Sequence, residues 1–94
     1  MPNIEIHASR KDQVTFARRA VVNALKSAEY AKDVVITAHM TDPVDLSGNA
    51  CPFLCVALTA ENAKKHLKDL MTRLYDVPYD IELLELKKFI PHKG

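Results

Sequence analysis

The chain has 94 residues, of which 27% are charged, and its formal net charge is +1. A chain of this length forms one domain, residues 1–94, around a single core. The near-zero charge and the absence of tryptophan argue against nucleic acid as a partner, and no apolar run approaches the roughly 18–20 residues that a membrane span needs. The N-terminus lacks the basic-then-apolar pattern of a signal peptide, so a cytoplasmic protein is expected.

The first strand is predicted from residues 3–9, NIEIHAS. Ile4 and Ile6 alternate there with Glu5 and His7, and a period of two is typical of a half-buried strand. His7 is therefore expected to face away from the side on which Ile4 and Ile6 lie.

A helix and a second strand are predicted next. Apolar residues recur at helical spacing from about Lys11 to Ala28, and Ser9 or Asp12 can cap this helix. The segment Asp33–Thr41 contains a run of β-branched residues, which favours a buried strand.

The second half repeats this order of elements. Residues 41–50, TDPVDLSGNA, are rich in turn-forming residues and predict a loop. The continuous apolar run of Cys51–Thr59 predicts a strand covered on both faces. Helical spacing over Glu61–Asp76 predicts a helix with Thr59 among its candidate caps, and Tyr79–Phe89 is predicted to be the last strand.

The cysteines and histidines do not form a recognisable metal or redox motif. Cys51 and Cys55 are four residues apart, which on a strand is roughly 13 Å and too far for a disulfide. Their spacing is not the CxxC of redox or zinc sites, so both are predicted to be small buried hydrophobes. His39, His66 and His92 are too scattered along the chain to predict a metal site.

The two halves of the chain, about 1–41 and 51–90, match in pattern when shifted by fifty positions, which places Pro2 on Pro52. Each half is predicted to be a strand, a crossover helix and a parallel strand. The sequence thus predicts an α+β fold of order β-α-β-β-α-β, with a four-stranded mixed sheet and two helices on one of its faces. The other face has to be covered, so self-association is expected.

The order of elements and the opening MPNIEIHASRKD resemble the tautomerase superfamily. In the opening, the resemblance lies in Pro2, the alternating isoleucines, His7 and then Arg10. The second half, ACPFLCVALT followed by a helix and YDIELLELKKF, is similar in layout to the C-terminal half of migration inhibitory factors. By layout the resemblance covers nearly the whole chain.

The resemblance implies a homotrimer or homohexamer and an isomerase activity on a small α-keto acid, a carboxylate substrate, without a cofactor. In the family, removal of the initiator methionine frees the nitrogen of an N-terminal proline, which acts as the general base; here that residue is Pro2. Cationic side chains hold the substrate carboxylate and the enolate oxygen. Arg10, after the first strand, and Lys32, before the second, are the positions that match, and His39 has no counterpart in the family.

Two alternatives stay open from the sequence. Pro2 is also compatible with a merely stiff residue at the start of a strand, which would make the protein a non-catalytic oligomeric member of the same fold. A ferredoxin-like domain for a small ligand or for subunit assembly can share the β-α-β-β-α-β order, with antiparallel pairing of its strands.

Overall fold

A computed structural model describes residues 3–86, and its elements follow the predicted β-α-β-β-α-β order. A short 3₁₀ turn, Ala31–Asp33, precedes the second strand. The strands are β1 (Asn3–Ala8), β2 (Val35–Met40), β3 (Phe53–Thr59) and β4 (Asp80–Leu86), and the helices are α1 (Lys11–Leu25) and α2 (Ala60–Leu74).

The four strands form one mixed sheet in the order β2-β1-β3-β4. The pairs β1–β2 and β3–β4 are parallel, and the two halves meet through the antiparallel pair β1–β3. The predicted fold class is therefore confirmed. The ferredoxin-like alternative is wrong, because its antiparallel pairing is incompatible with two parallel pairs.

Both helices pack on the same face of the sheet. Alternate residues of the two central strands point to this face, and α1 and α2 contact the strands and each other there. Burial of these apolar side chains provides the main stabilisation of the fold. The fully or almost fully buried members are Ile4, Ile6, Ala8, Leu54, Val56 and Leu58 from the strands, and Ala17, Val21, Leu25, Leu70 and Leu74 from the helices.

The two halves correspond closely but not with one constant offset. The first strands begin fifty positions apart, whereas the helices begin forty-nine apart. Val21 therefore corresponds to Leu70, which is fully buried, and not to Met71, which is only partly buried. The offset of fifty is therefore wrong by one residue for the helices. Two residues separate β1 from α1, whereas α2 follows β3 directly and β3 is one residue longer than β1.

Helix α1 ends at Leu25, three residues before the predicted end at Ala28. The amide of Ala28 donates to the carbonyl of Leu25, a bond of 3₁₀ type that tightens the chain. Ala28 and Tyr30 are nevertheless buried. The apolar pattern therefore continued past the helix because these residues also pack on the core.

The ends of the helices show which local signals were reliable. The hydroxyl oxygen of Thr59 accepts a hydrogen bond of 3.2 Å from the amide of Asn62, which confirms the predicted cap of α2. At α1 the cap residue is Arg10, whose amide donates to the side chain of Gln13 at 3.2 Å. The predicted caps Ser9 and Asp12 were therefore wrong.

Strand β2 is mostly exposed, which corrects the prediction of a buried strand. It lies at the edge of the sheet and pairs only with β1 among the described strands. Val35 keeps 42% of its surface exposed and Met40 keeps 59%. By contrast, β3 is central, and its residues from Leu54 to Leu58 are all buried as predicted.

The loop between β2 and β3 is held by its own hydrogen bonds. One carboxylate oxygen of Asp45 accepts from the amides of Ser47 and Asn49, both at 2.9 Å, which holds the pKa of Asp45 below its ordinary value. Gly48 supplies the left-handed backbone of the turn, with φ of +84°. Leu46 projects fully into solvent from this loop.

Within residues 3–86, no helix is long and apolar enough to cross a membrane. The cytoplasmic location expected from the sequence stays a prediction. Pro2 and residues 87–94, which include the end of the predicted strand Tyr79–Phe89, lie outside the described residues.

The contrast between two leucines tests the assignment of the core. Leu54→Ala removes a fully buried side chain and is expected to lower the free energy of unfolding by about 2–5 kcal/mol. Leu46→Ala makes the same chemical change in solvent and is expected to alter it by less than about 0.5 kcal/mol. Urea unfolding of both variants measures the difference, and equal losses would contradict the described core.

Candidate functional site

The face of the sheet opposite the helices carries two of the three histidines among residues 3–86, together with Cys55 and three carboxylates. We call it the open sheet face. Because side chains alternate along a strand, it is formed by the residues between those of the core. Its described members are Asn3, Glu5 and His7 from β1, Val35, Thr37 and His39 from β2, Phe53, Cys55 and Ala57 from β3, and Asp80, Glu82 and Leu84 from β4.

One end of this face carries a cluster of Glu5, His7 and His39. Nε2 of His7 lies 2.9 Å from Oε1 of Glu5, and Nε2 of His39 lies 3.8 Å from the same oxygen. One ligand atom from each side chain lies within 4.8 Å of the others. The cluster thus brings two imidazoles and one carboxylate to a single point.

The register of the strands places the two histidines side by side. His7 pairs with His39 across β1 and β2, and with Phe53 across β1 and β3. The three rings form a stack: His7 and His39 have centroids 4.7 Å apart, and His7 and Phe53 have centroids 4.6 Å apart, with almost parallel planes. The imidazole of His7 is therefore fixed between two rings, while the side chain of His39 is 43% exposed.

Cys55 lies beside the cluster, opposite Glu5 in the register of β1 and β3. Burial raises the pKa of its thiol, and the negative charges of Glu5 and Glu82 raise it further. A thiol of this kind is a poor nucleophile because little thiolate forms. Cys51 and Cys55 are both free cysteines; Cys55 is buried, as predicted, whereas Cys51 is only partly buried, which corrects the prediction for that residue.

The other end of the open sheet face is apolar. Asn3, the first described residue of β1, lies between Val35 of β2 and Ala57 of β3. The side-chain oxygen of Asn3 is buried and has no hydrogen-bond partner among the described residues. Lys32 is exposed in the 3₁₀ turn that leads into β2. This end therefore combines an apolar surface, an unused acceptor and a nearby cation.

Arg10 lies at the opposite end of β1. It precedes α1, its side chain is 70% exposed, and its Nε donates to the carboxylate of Asp12 at 3.0 Å. Arg10 is seven positions after Asn3, which is about 23 Å along an extended chain. Within one chain, the structure therefore does not bring Arg10 together with Lys32 and the start of β1.

Pro2, the predicted base, lies outside the described residues, so its role stays a prediction. The cluster of Glu5, His7 and His39 was not predicted, because His7 and His39 are 32 positions apart in the sequence and no spacing motif links them. Alternation in β1 and β2 was the available signal, but it needed the register to become useful. His92 also lies outside the described residues.

A separate groove of about 680 Å³ runs between the end of α1 and α2. The hydroxyl of Tyr30 donates to Asp69 at 2.8 Å, and Nε of Arg73 donates to the same carboxylate oxygen at 2.9 Å. Arg73 also donates to the hydroxyl of Ser27 at 3.0 Å. Because these groups already form hydrogen bonds with one another, we infer that the groove has a structural role. Its hydrogen bonds hold α2 against the segment that follows α1.

No protein-family model and no curated protein sequence matches the chain. Solved structures with a similar backbone include the macrophage migration inhibitory factor from Giardia lamblia, which is 14% identical with a TM-score of 0.49 over 92% of this chain and 98% of that chain. N1, a member of the cis-3-chloroacrylic acid dehalogenase family, is 9% identical with a TM-score of 0.44, over 89% of this chain and 74% of that chain. The migration inhibitory factor from Toxoplasma gondii is 14% identical with a TM-score of 0.39, over 92% and 89%.

Migration inhibitory factors are also the proteins whose layout the second half of the sequence resembles. At identities of 14% or lower, these similarities concern the course of the backbone and not the chemistry of the side chains.

Titration of the tyrosines tests the groove. Burial, and then the hydrogen bond to Asp69, raise the pKa of Tyr30 to about 12. Of the three tyrosines, Tyr30 is expected to give an ultraviolet absorbance step near that pH in the folded protein. Burial also raises the pKa of Tyr79, so the size of the high-pH step is compared. Tyr30→Phe should reduce this step and Tyr75→Phe should leave it unchanged, and an unchanged step in Tyr30→Phe would contradict the assignment.

The same hydrogen bonds predict the direction of the acid dependence of stability. The bond from Tyr30, followed by that from Arg73, lowers the pKa of Asp69. A carboxyl group whose pKa is lower in the folded state stabilises the fold above its unfolded value, about 3.9, and loses this contribution as the pH falls through the folded value. Tyr30→Phe should therefore flatten the decline in unfolding free energy below about pH 4, as measured by urea unfolding across that range.

Proposed function

We propose that this protein is a tautomerase in which Pro2, freed by removal of Met1, is the general base for keto–enol interconversion of a small α-keto acid. The observation that carries the proposal is the position of Asn3, which starts a central strand of the sheet between Val35 and Ala57. Pro2 is bonded directly to this residue.

An apolar neighbourhood is what a proline base requires. The protonated form of an amine is disfavoured where water is excluded, so more of the amine is present as the free base near neutral pH. Val35, Asn3, Ala57 and Leu84 are successive positions of a row across the sheet at this end, and all of them except Asn3 are apolar. Their apolar side chains support a free-base amine at the start of β1.

Among residues 3–86, Lys32 offers the substrate a cation at this end. It lies three residues before Val35, the partner of Asn3, and its side chain is exposed. An ammonium group can hold the substrate carboxylate or the oxygen on which charge develops. We assign to Lys32 the role of binding the substrate carboxylate.

Arg10 fits this site only if it comes from a second copy of the chain, because the length of β1 separates it from Asn3. The open sheet face offers a surface for such assembly: Val35 and Leu84 are 42% and 47% exposed there. A trimer or hexamer would cover these side chains and bring the end of one β1 to the beginning of another.

The proposed reaction is a balanced proton transfer. The nitrogen of Pro2 takes a proton from the carbon next to the carbonyl, and the electron pair of that C–H bond moves to form the enolate. Lys32 and the second chain's Arg10 stabilise the negative charge on the substrate. Delivery of the proton from the Pro2 ammonium to the enolate oxygen gives the enol and restores the free amine.

Removal of Met1 and substitution of Pro2 test the base. Native protein is expected to be lighter than the full translation product by one methionine, and to interconvert the enol and keto forms of phenylpyruvate. Pro2→Ala should lower kcat/KM by about 100-fold or more, the usual contribution of a general base. Intact-mass measurement and the decay of enol absorbance give the two readouts.

Pro52→Ala is the matched control, because the nitrogen of Pro52 is always part of a peptide bond. This variant should still lose Met1 and should keep the wild-type kcat/KM. Retention of Met1 in native protein, or equal rates for Pro2→Ala and the wild type, would refute the proposal. The non-catalytic alternative predicts no activity in any of these proteins.

Mixed oligomers test whether Arg10 acts across subunits. Arg10→Ala is expected to lower kcat/KM about tenfold or more, because a charge-assisted contact is lost. When Pro2→Ala and Arg10→Ala chains are refolded together, about one quarter of the sites should combine an intact Pro2 with an intact Arg10 from the neighbour. Activity should therefore rise above that of either variant alone.

Arg18→Ala is the control for the loss of an exposed arginine on α1. Absence of recovery in the mixed oligomers would contradict a contribution of Arg10 from a second chain. Light scattering of the same samples measures the number of chains, and a monomer would contradict the assembly.

A further inference from the structure

We propose that Glu5, His7 and His39 form a binding site for a divalent transition-metal ion, with Zn²⁺ as its simplest occupant. Two imidazole nitrogens and one carboxylate oxygen are a common protein donor set for zinc. The site lies at the polar end of the open sheet face and uses none of the residues assigned to proton transfer.

The distances between the donor atoms already suit a metal. Zinc lies about 2.0–2.2 Å from nitrogen and oxygen ligands, so neighbouring donors of a tetrahedral ion are about 3.3 Å apart. Here the distance from Glu5 Oε1 is 2.9 Å to Nε2 of His7 and 3.8 Å to Nε2 of His39. No pair of donors is more than 4.8 Å apart. The two imidazole planes are almost parallel, so the exposed side chain of His39 has to rotate for both rings to point at one ion, whereas the backbone can stay in place.

The sheet holds the donors in position before any ion binds. His7 and His39 are partners in the parallel register of β1 and β2, and Glu5 is two residues before His7 on the same face. The stack of His39, His7 and Phe53 limits rotation of the His7 ring. A site built on paired strands loses less conformational entropy on binding than one built on loops.

The donor types favour some metals over others. Imidazole nitrogen suits Zn²⁺, Co²⁺, Ni²⁺ and Cu²⁺, whereas Mg²⁺ and Ca²⁺ prefer a shell of oxygens. Three protein ligands leave at least one coordination position for water or for an anionic ligand. The side chains are 19–43% exposed in the single chain, so an ion can reach them from solvent.

Binding has to displace a hydrogen bond. Nε2 of His7 is 2.9 Å from the Glu5 carboxylate and donates to it in the tautomer that carries the proton there. A metal ion takes the place of that proton at Nε2, and the neutral ring then carries its proton on Nδ1. The carboxylate keeps a partner throughout, the N–H of His7 before binding and the ion afterwards, and His39 becomes part of the same contact.

Metal titration of the untagged full-length chain tests this site. After removal of metals with a chelator, Zn²⁺ is titrated by calorimetry and Co²⁺ by visible absorbance. We expect one ion per chain, a Co²⁺ spectrum without the strong near-ultraviolet band of thiolate ligation, and no binding of Mg²⁺. His39→Ala and Glu5→Gln should each weaken Zn²⁺ binding roughly tenfold or more, the effect found when the shell of a metal site is disturbed.

His66→Ala is the matched control, because His66 lies on α2 and contacts the ring of Tyr30 instead of the cluster. Circular dichroism checks that each variant is folded, and the nearly isosteric Glu5→Gln carries the test if His39→Ala does not fold. Absence of Zn²⁺ binding, equal affinity in the wild type and Glu5→Gln, or an equal loss in His66→Ala would each overturn the proposal. Pro2→Ala should bind Zn²⁺ like the wild type, so failure of the tautomerase proposal leaves this result unaffected.

Discussion

The register of β1 is the constraint on which the rest of the structure depends. This strand pairs on both sides, with β2 and with β3, and its Ile4 and Ile6 lie in the core. A slip of one residue would exchange them with Glu5 and His7. Two ionisable groups would then face the helices, which is unfavourable without partners for them. The hydrophobic core thus selects one register, and that same register brings His7 beside His39 and Phe53.

Features that depend on neighbouring residues in the chain could be predicted from the sequence. The alternation of residues 3–9 correctly predicted the side of the sheet on which His7 lies, and the prediction that Thr59 caps α2 was confirmed. Both effects act over a few residues. The prediction that β2 is buried was wrong for the converse reason. A β-branched run predicts a strand, but its exposure depends on whether the strand lies at the centre or the edge of the sheet.

The candidate site could not be predicted from the sequence, because it depends on contacts between residues that are far apart in the chain. His7 and His39 become neighbours only because α1 ends at Leu25 and the turn of Ala31–Asp33 sets where β2 begins. A shorter or longer connection would have placed another residue opposite His7. Arg10 and Lys32 illustrate the same limit. Each was assigned by its position at the end of a strand, but these are opposite ends of the sheet.

Covering the open sheet face links its two ends energetically. The apolar side chains of Val35, Ala57 and Leu84 favour contact with another chain, since association removes their exposed surface from water. The same contact would withdraw the Glu5 carboxylate from water, and a buried charge requires a partner. His7 supplies a hydrogen bond to it at 2.9 Å, and a bound cation would supply stronger compensation. A metal ion that binds the assembled form more tightly than the single chain must, by linkage, favour assembly to the same extent. The polar end of this face would therefore set the cost of the proposed association, which the apolar end would promote.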